Sequence, residues 1–294
     1  MRKFVSIVSV IVILSFIARP HCCGFNFSLP DVPDSLKTPN ERIAYVIDNY
    51  WSGINFSTDT LTLPSLEFEQ AFADFVFLSE KADSISSANA IKKLMSSVRT
   101  NPTALEATMN MAEKYLYELD SPMNSDILYE IFLNEYLALD NIDQAHRIRP
   151  RIQLEAVTKN RAGARVSDFN FLTADNKASS LYEIPSDKNI LLIFYDPECD
   201  HCMEVLGRIN TEVNDDAIRT IAIYSGDDYD KWSELLPALP EQWIIGYDDG
   251  TLQDEGLFII RQLPTIFLLK GDKTVILKEP NIETLIQTLS NTNS

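Results

Sequence analysis

The chain has 294 residues, 45% of them apolar, which is enough for two domains with separate cores. A formal charge of −18 opposes binding to nucleic acid or anionic lipid, since both need a cationic surface to displace counterions, and it excludes nucleic-acid functions. With 9 Gly, 14 Pro, no low-complexity tract and no fixed-period repeat, the composition is that of a folded chain.

At the N-terminus Arg2 and Lys3 precede an apolar stretch from Phe4 to Ala18, shorter than the ~20 residues a membrane-spanning helix needs. The stretch reads as a secretory signal over 1–24. Cys22 and Gly24 supply small residues at the −3 and −1 positions of a cleavage site, and Phe25 opens the mature chain; cutting after Ala18 is the alternative. The expectation is export across the inner membrane to the periplasm. Acylation of Cys22 or Cys23 would instead anchor the chain at the envelope, the one reading that involves a membrane. The preceding Arg19-Pro20-His21 is unlike the small, aliphatic stretch of a lipoprotein signal. Cleavage after Gly24 removes Arg2, Lys3 and Arg19, takes the charge from −18 to −21, and leaves Cys199 and Cys202 as an isolated pair where disulfides are permitted.

The segment 25–160 reads as all-helical. Thr38-Pro39-Asn40-Glu41 is a capping box with proline at the first helical position, followed by Ile43, Val46, Ile47, Tyr50 and Trp51 at helical spacing. Further helices are predicted over 65–82, 84–99, 102–119, 125–139 and 142–159. The stripe Phe68, Phe72, Phe75 is expected to be core.

From Arg165 the pattern changes, with the boundary near 160–164 and a second domain over 161–294. The spacing predicts a strand, a turn at Asp175-Asn176 and a short helix near Leu181, then the continuous apolar strand "NILLIFYD" of a sheet covered on both faces. A helix starting at Cys199, a strand over 217–225, a helix over 228–236, a strand over 242–247 and a helix over 251–259 follow. Two strands joined at Gly271-Asp272 and a last helix close the chain. This describes an α/β unit: a mixed central sheet flanked by helices.

Cys199 follows a strand and a Pro197 turn, so it stands at a helix N-terminus with Cys202 one turn in. Unpaired N–H groups and the helix dipole favour negative charge there, which lowers a thiol pKa from its free value of ~8.5. Cys199 is thus the expected nucleophile, and Cys202, at i+3, the resolving thiol that attacks a mixed disulfide on Cys199. His201, between them, would tune the pair toward thiolate and a more oxidising disulfide; Asp196, Glu198, Asp200 and Glu204 oppose it.

"NILLIFYDPECDHC", followed some sixty residues later by "IIRQLPTIFLLKGDK", resembles the thioredoxin fold family, and "RVSDFNFLTADNKASSLYEI" looks like the N-terminal hairpin of its envelope thiol-disulfide exchange branch. The resemblance covers about 165–290. It implies a cis peptide at Leu263-Pro264 beside the disulfide, a Leu263 backbone that pairs with a bound polypeptide, and Pro264 keeping stray metal from the thiols. Tyr195 and Asp200 are the further expected substrate-binding residues. No cofactor is implied beyond a redox-active Cys199-Cys202 disulfide, and no metal site. Partners would be protein or peptide thiols and disulfides, with an unidentified redox partner. The N-terminal segment, with "PDVPDSLKTPNERIAYVIDNYW", is similar to an uncharacterised helical domain that precedes thioredoxin-like domains in secreted bacterial proteins.

The sequence departs from this pattern at three points. Ile193 stands where thioredoxin-type reductases carry a buried carboxylate, Val205 where envelope reductases often carry a Glu, and Glu198 replaces the aromatic before the first cysteine. Competing readings of the pair are an inert crosslink, disfavoured because a two-residue loop removes little chain entropy, and a metal site, for which His146 is the only other mature histidine. A peroxidase would need a threonine before the cysteine that is absent here. The expectation is therefore a thiol-disulfide oxidoreductase for extracytoplasmic proteins. The family resemblance favours reductase or isomerase and His201 favours oxidase; a non-catalytic scaffold on the same fold is the alternative.

Overall fold

The computed structural model describes residues 27–57, 63–213 and 217–292. The expected signal segment over 1–24, with the expected cleavage and acylation positions and Phe25, lies outside the described residues. Among those described, no helix is long and apolar enough to cross a membrane.

Six helices form the N-terminal half: α1 Pro39–Asn49, α2 Leu66–Lys81, α3 Ser84–Val98, α4 Pro102–Ala112, α5 Asp126–Leu137 and α6 Gln144–Thr158. Each begins on a side chain that accepts orphan N–H groups of its first turn: Thr38, Ser65, Asp83, Asn101, Ser125 and Asp143. The Thr38 box is closed in both directions. Phe68, Phe72 and Phe75 are fully buried, and their rings belong to a connected aromatic set with Tyr50, Trp51, Phe56 and Phe132 at centroid separations of 5.4–6.5 Å. Such pairs add ~0.5–1.5 kcal/mol each beyond their buried area.

The helix predicted over 102–119 ends early. After Ala112 it widens into a π-turn, Glu113–Tyr117, and stops at Glu118. Asn124 explains the stop: its side-chain amide donates to the carbonyls of Leu116, Tyr117 and Glu118 at 3.1, 3.1 and 3.2 Å, satisfying groups the lost helix leaves open.

The C-terminal half is a seven-stranded sheet in the order β2-β1-β5-β4-β3-β6-β7. Its strands are β1 Asn170–Thr173, β2 Ala178–Ser180, β3 Asn189–Tyr195, β4 Ile218–Tyr224, β5 Ile244–Tyr247, β6 Thr265–Leu269 and β7 Val275–Lys278. β3, β4 and β5 are parallel, with β6 antiparallel to β3. Alternation along β3 sends Leu191, Ile193 and Tyr195 to one core and Ile190, Leu192 and Phe194 to the other. The first core is closed by α7 Asp200–Glu212, α8 Tyr229–Leu235 and α10 Ile282–Thr292. The second is closed by Val166, Phe169, Leu181, Leu252 and Phe258. At Gly246 a Cβ would stand 2.5 Å from the Phe171 ring and 2.6 Å from Ile223, so the strand needs glycine to pass between them.

Two local predictions are corrected. The residues at Leu181 are turns rather than a helix, because 178–180 pairs with β1 and the Leu181 N–H continues the ladder to the Phe169 carbonyl. The helix predicted over 251–259 is one turn, α9 Thr251–Asp254: Gly256, at φ +61°, turns the chain and Leu257 N–H closes on the Leu252 carbonyl.

Candidate functional site

The parallel strand β3 delivers the chain to the rim of the sheet at Asp196, and a tight turn returns it as α7. Cys199 N–H donates to the Asp196 carbonyl at 3.1 Å, and the Asp196 carboxylate accepts the Glu198 N–H at 2.8 Å. These bonds set Cys199 as the N-cap of α7, where its sulfur accepts the Cys202 N–H at 3.3 Å. Cys199 is half-buried, while Cys202 is fully buried under it. Burial pushes the Cys202 thiol up to about 12, partly offset by the Asp196 backbone N–H and reinforced by charge on Cys199 and Asp196. Both cysteines are thiols here. The site thus holds one accessible sulfur fed by a backbone N–H and one protected sulfur that keeps its proton.

Asp200 and His201 are exposed on the first turn of α7. Glu198 forms an ion pair with Lys231 of α8, so α8 borders the turn. The Leu263–Pro264 peptide is cis, and the segment lies just beyond the Thr265–Phe194 pairing, at the same rim as Cys199. Leu263, like Cys199, packs against the core cluster that contains Cys202.

Tyr195 is a correction. Expected on the substrate side, it is 1% exposed, because alternation along β3 turns it into the core with Cys202 and Trp232. Ile193 is fully buried in the same cluster and Val205 is buried on α7, so no carboxylate occupies either position; Glu204 is exposed. His146 lies in the helical half, paired through Nδ1 with Asp143 at 2.8 Å. Two cavities, of about 390 and 600 Å³, are lined by other residues, around Asp248 and around Glu113. Cys199 and the Leu263–Pro264 segment thus stand together at the rim of the sheet.

Sequence reasoning missed a second cluster behind this rim. Arg261 is 7% exposed and donates from Nε to Glu279 at 2.9 Å, from Nη1 to the Tyr117 carbonyl at 3.2 Å, and from Nη2 to Asp126 at 3.5 Å. Lys278 donates to Asp126 at 2.8 Å and to the Ala156 carbonyl at 2.6 Å. Arg261 and Tyr117 are more than 140 positions apart in the chain, and no local pattern links them. The one available signal was a run of charge, Lys278-Glu279, at the end of an otherwise apolar strand.

Residues 3–160, more than half of the chain, match the family described as a domain of unknown function, DUF5106. The chain belongs to this family. In the described residues the DUF5106 segment is the six-helix half with its π-turn. A thioredoxin-like protein from Bacteroides caccae ATCC 43185 is similar to the DUF5106 chain at 26% identity, over 91% of this chain and 99% of its own, with a TM-score of 0.81. Both halves of the chain thus have a solved counterpart, and the sheet half is thioredoxin-like. The C-terminal domain of an uncharacterized protein from Bacteroides fragilis NCTC 9343 matches 45% of this chain at 25% identity, over 98% of its own length, with a TM-score of 0.42. The thioredoxin domain of a thiol-disulfide oxidoreductase from Bacteroides vulgatus matches 45% of the chain at 14% identity, over 98% of its own, with a TM-score of 0.40. No curated protein matches the chain.

Proposed function

We propose that the chain is a thiol-disulfide oxidoreductase for extracytoplasmic proteins, working through Cys199 and Cys202. The observation that carries this reading is the asymmetry of the pair: a half-buried Cys199 sulfur at a helix N-cap, receiving the Cys202 N–H, above a Cys202 with no exposure. The extracytoplasmic setting rests on the apolar N-terminal stretch from Phe4 to Ala18.

The Cys199 thiolate attacks one sulfur of a partner disulfide. A mixed disulfide forms and the partner's other sulfur leaves as a thiolate. Cys202 then loses its proton and attacks Cys199 Sγ, which frees the partner as a dithiol and leaves the Cys199–Cys202 disulfide. A protein dithiol returns the pair to its reduced form. The resemblance to the envelope thiol-disulfide exchange branch supports the reducing or isomerising direction, and His201 between the cysteines supports the oxidising one. Leu263 offers its backbone to the bound strand, Pro264 and Asp200 flank it, and no metal or organic cofactor takes part.

The scaffold reading draws on one observation: Ile193, buried in the cluster with Cys202, supplies no carboxylate there. Insulin reduction with dithiothreitol as donor decides between the two. The oxidoreductase reading expects turnover by the wild type, none by Cys199→Ser, and a trapped mixed disulfide with Cys202→Ser. Absence of turnover by the wild type with a range of dithiol donors leaves the scaffold.

A further inference from the structure

The cluster around Arg261 joins the helical half to the segment that flanks the cysteines. Arg261 stands two residues before Leu263; Glu279 of its own half takes Nε and Nη2, and the helical half supplies its other contacts. The Tyr117 carbonyl accepts from Nη1, the Tyr117 ring lies 4.8 Å from the guanidinium carbon, and Asp126 accepts from Nη2. The remaining partner, Glu279, is 3% exposed at its side chain, and its own N–H donates to the Ile266 carbonyl of β6 at 2.8 Å. The guanidinium thus ties three pieces together: the π-turn, the first turn of α5, and the β6–β7 edge that carries Leu263 and Pro264.

The supports are themselves fixed. Tyr117 closes the π-turn, and Asn124 binds the carbonyls on either side of it as well as its own. Asp126 is the first residue of α5 and also holds Lys278 at 2.8 Å. A guanidinium presents its donors in a rigid fork, so anchoring three of its nitrogens fixes the orientation of the group and the backbone it hangs from.

We propose that the DUF5106 half acts as a positioning element for the Leu263–Pro264 segment, with Arg261, Asp126 and Tyr117 as positioning residues that hold the backbone where a polypeptide partner pairs with it. The inference rests on the oxidoreductase reading above. None of these residues touches the reacting sulfurs. Their loss therefore weakens the grip on an extended partner and leaves the chemistry at Cys199 intact. A disulfide too small to reach Leu263 gains nothing from the arrangement.

The test uses the full-length protein and two substrates: a peptide disulfide of about ten residues and the small aromatic disulfide 5,5′-dithiobis(2-nitrobenzoate). Asp126→Ala and the neutral pair Arg261→Gln with Glu279→Gln are expected to raise KM for the peptide by about 5- to 50-fold. Their kcat and their rate with the small disulfide stay within about twofold of wild type. Asp126→Asn, which keeps one acceptor oxygen and the side-chain shape, recovers part of the loss. Lys278→Met, which cuts a neighbouring tie between the halves but leaves the Arg261 contacts in place, keeps KM near wild type. Peptide KM within twofold of wild type in a folded Asp126→Ala overturns the proposal. So does an equal loss on both substrates, which marks a general structural defect. Wild-type protein that exchanges with neither substrate overturns the oxidoreductase reading itself, and is seen before any variant is made.

Discussion

The Cys199 sulfur accepts the Cys202 N–H at 3.3 Å, while the Cys202 sulfur, one helical turn in, has no solvent exposure. One backbone bond and one layer of packing separate an attackable sulfur from a protected one. Iodoacetamide at about pH 8 is therefore expected to label Cys199 in the reduced protein and to spare Cys202, read by peptide mass mapping. Equal labelling of both in the folded protein contradicts the asymmetry.

The same burial has a sign in stability. In the unfolded chain the Cys202 thiol titrates near ~8.5, and in the folded protein it is pushed up to about 12. Between those values the unfolded chain has released a proton that the folded one keeps, so stability falls as pH rises through this window; below it the group is neutral in both states and contributes nothing. Reduced Cys202→Ala should lose less stability between about pH 8 and 10 than reduced wild type. Urea unfolding at the two pH values gives the comparison.

Lys278 is 8% exposed and bridges Asp126 and the Ala156 carbonyl, whereas Lys93 pairs with Asp48 at 2.7 Å with both side chains about half exposed. Lys278→Met is expected to cost about 1–3 kcal/mol, because it strips a donor from two groups at the junction. Lys93→Met should cost less than about 1 kcal/mol, the usual worth of a solvated pair. Denaturant midpoints at constant m-value measure both.

Asn160, at the junction of the halves, has φ +48° and spends both ends of its amide: Nδ2 donates to the Leu257 carbonyl at 2.8 Å and Oδ1 accepts the Ser167 N–H at 2.9 Å. Asn160→Ala should cost about 2–3 kcal/mol, from two lost hydrogen bonds and a left-handed backbone. Asn160→Gly relieves the backbone part and should fall between alanine and wild type. Glycine no better than alanine would show that the conformation carries no cost.

Gly246→Ala drives a methyl into Phe171 and Ile223 on a buried strand, and a cost of about 1–3 kcal/mol is expected from the repacking. Thermal unfolding that left the midpoint unchanged would mean that Phe171 can swing aside freely.

What could be read from the chain was local. Thr38 through Glu41 announced α1, because a capping box is a contiguous signal, and "NILLIFYD" announced a central strand, because burial on both faces leaves no polar position. The mixed sheet behind a helical half followed from such signals. What could not be read was set by pairing at a distance. The early end of α4 depends on Asn124, which completes its turn from outside. The fate of Tyr195 depends on strand parity, since a residue on either side of it would face the opposite core. Arg261 depends on a fold-level meeting with Tyr117 and Asp126 that no spacing encodes.

Among the described residues, the clustered apolar side chains of the helical half form one core and those of the sheet form two others, with no member of the first in either of the latter. Polar ties cross the junction: Asp126, Glu130, Asn160 and the Tyr117 and Ala156 carbonyls on one side, Arg161, Arg261, Lys278 and the Leu257 carbonyl on the other. Over evolutionary time the two interiors are therefore free to drift separately. A change of hydrocarbon in one half asks nothing of the other, so long as this narrow set of polar groups keeps its alignment.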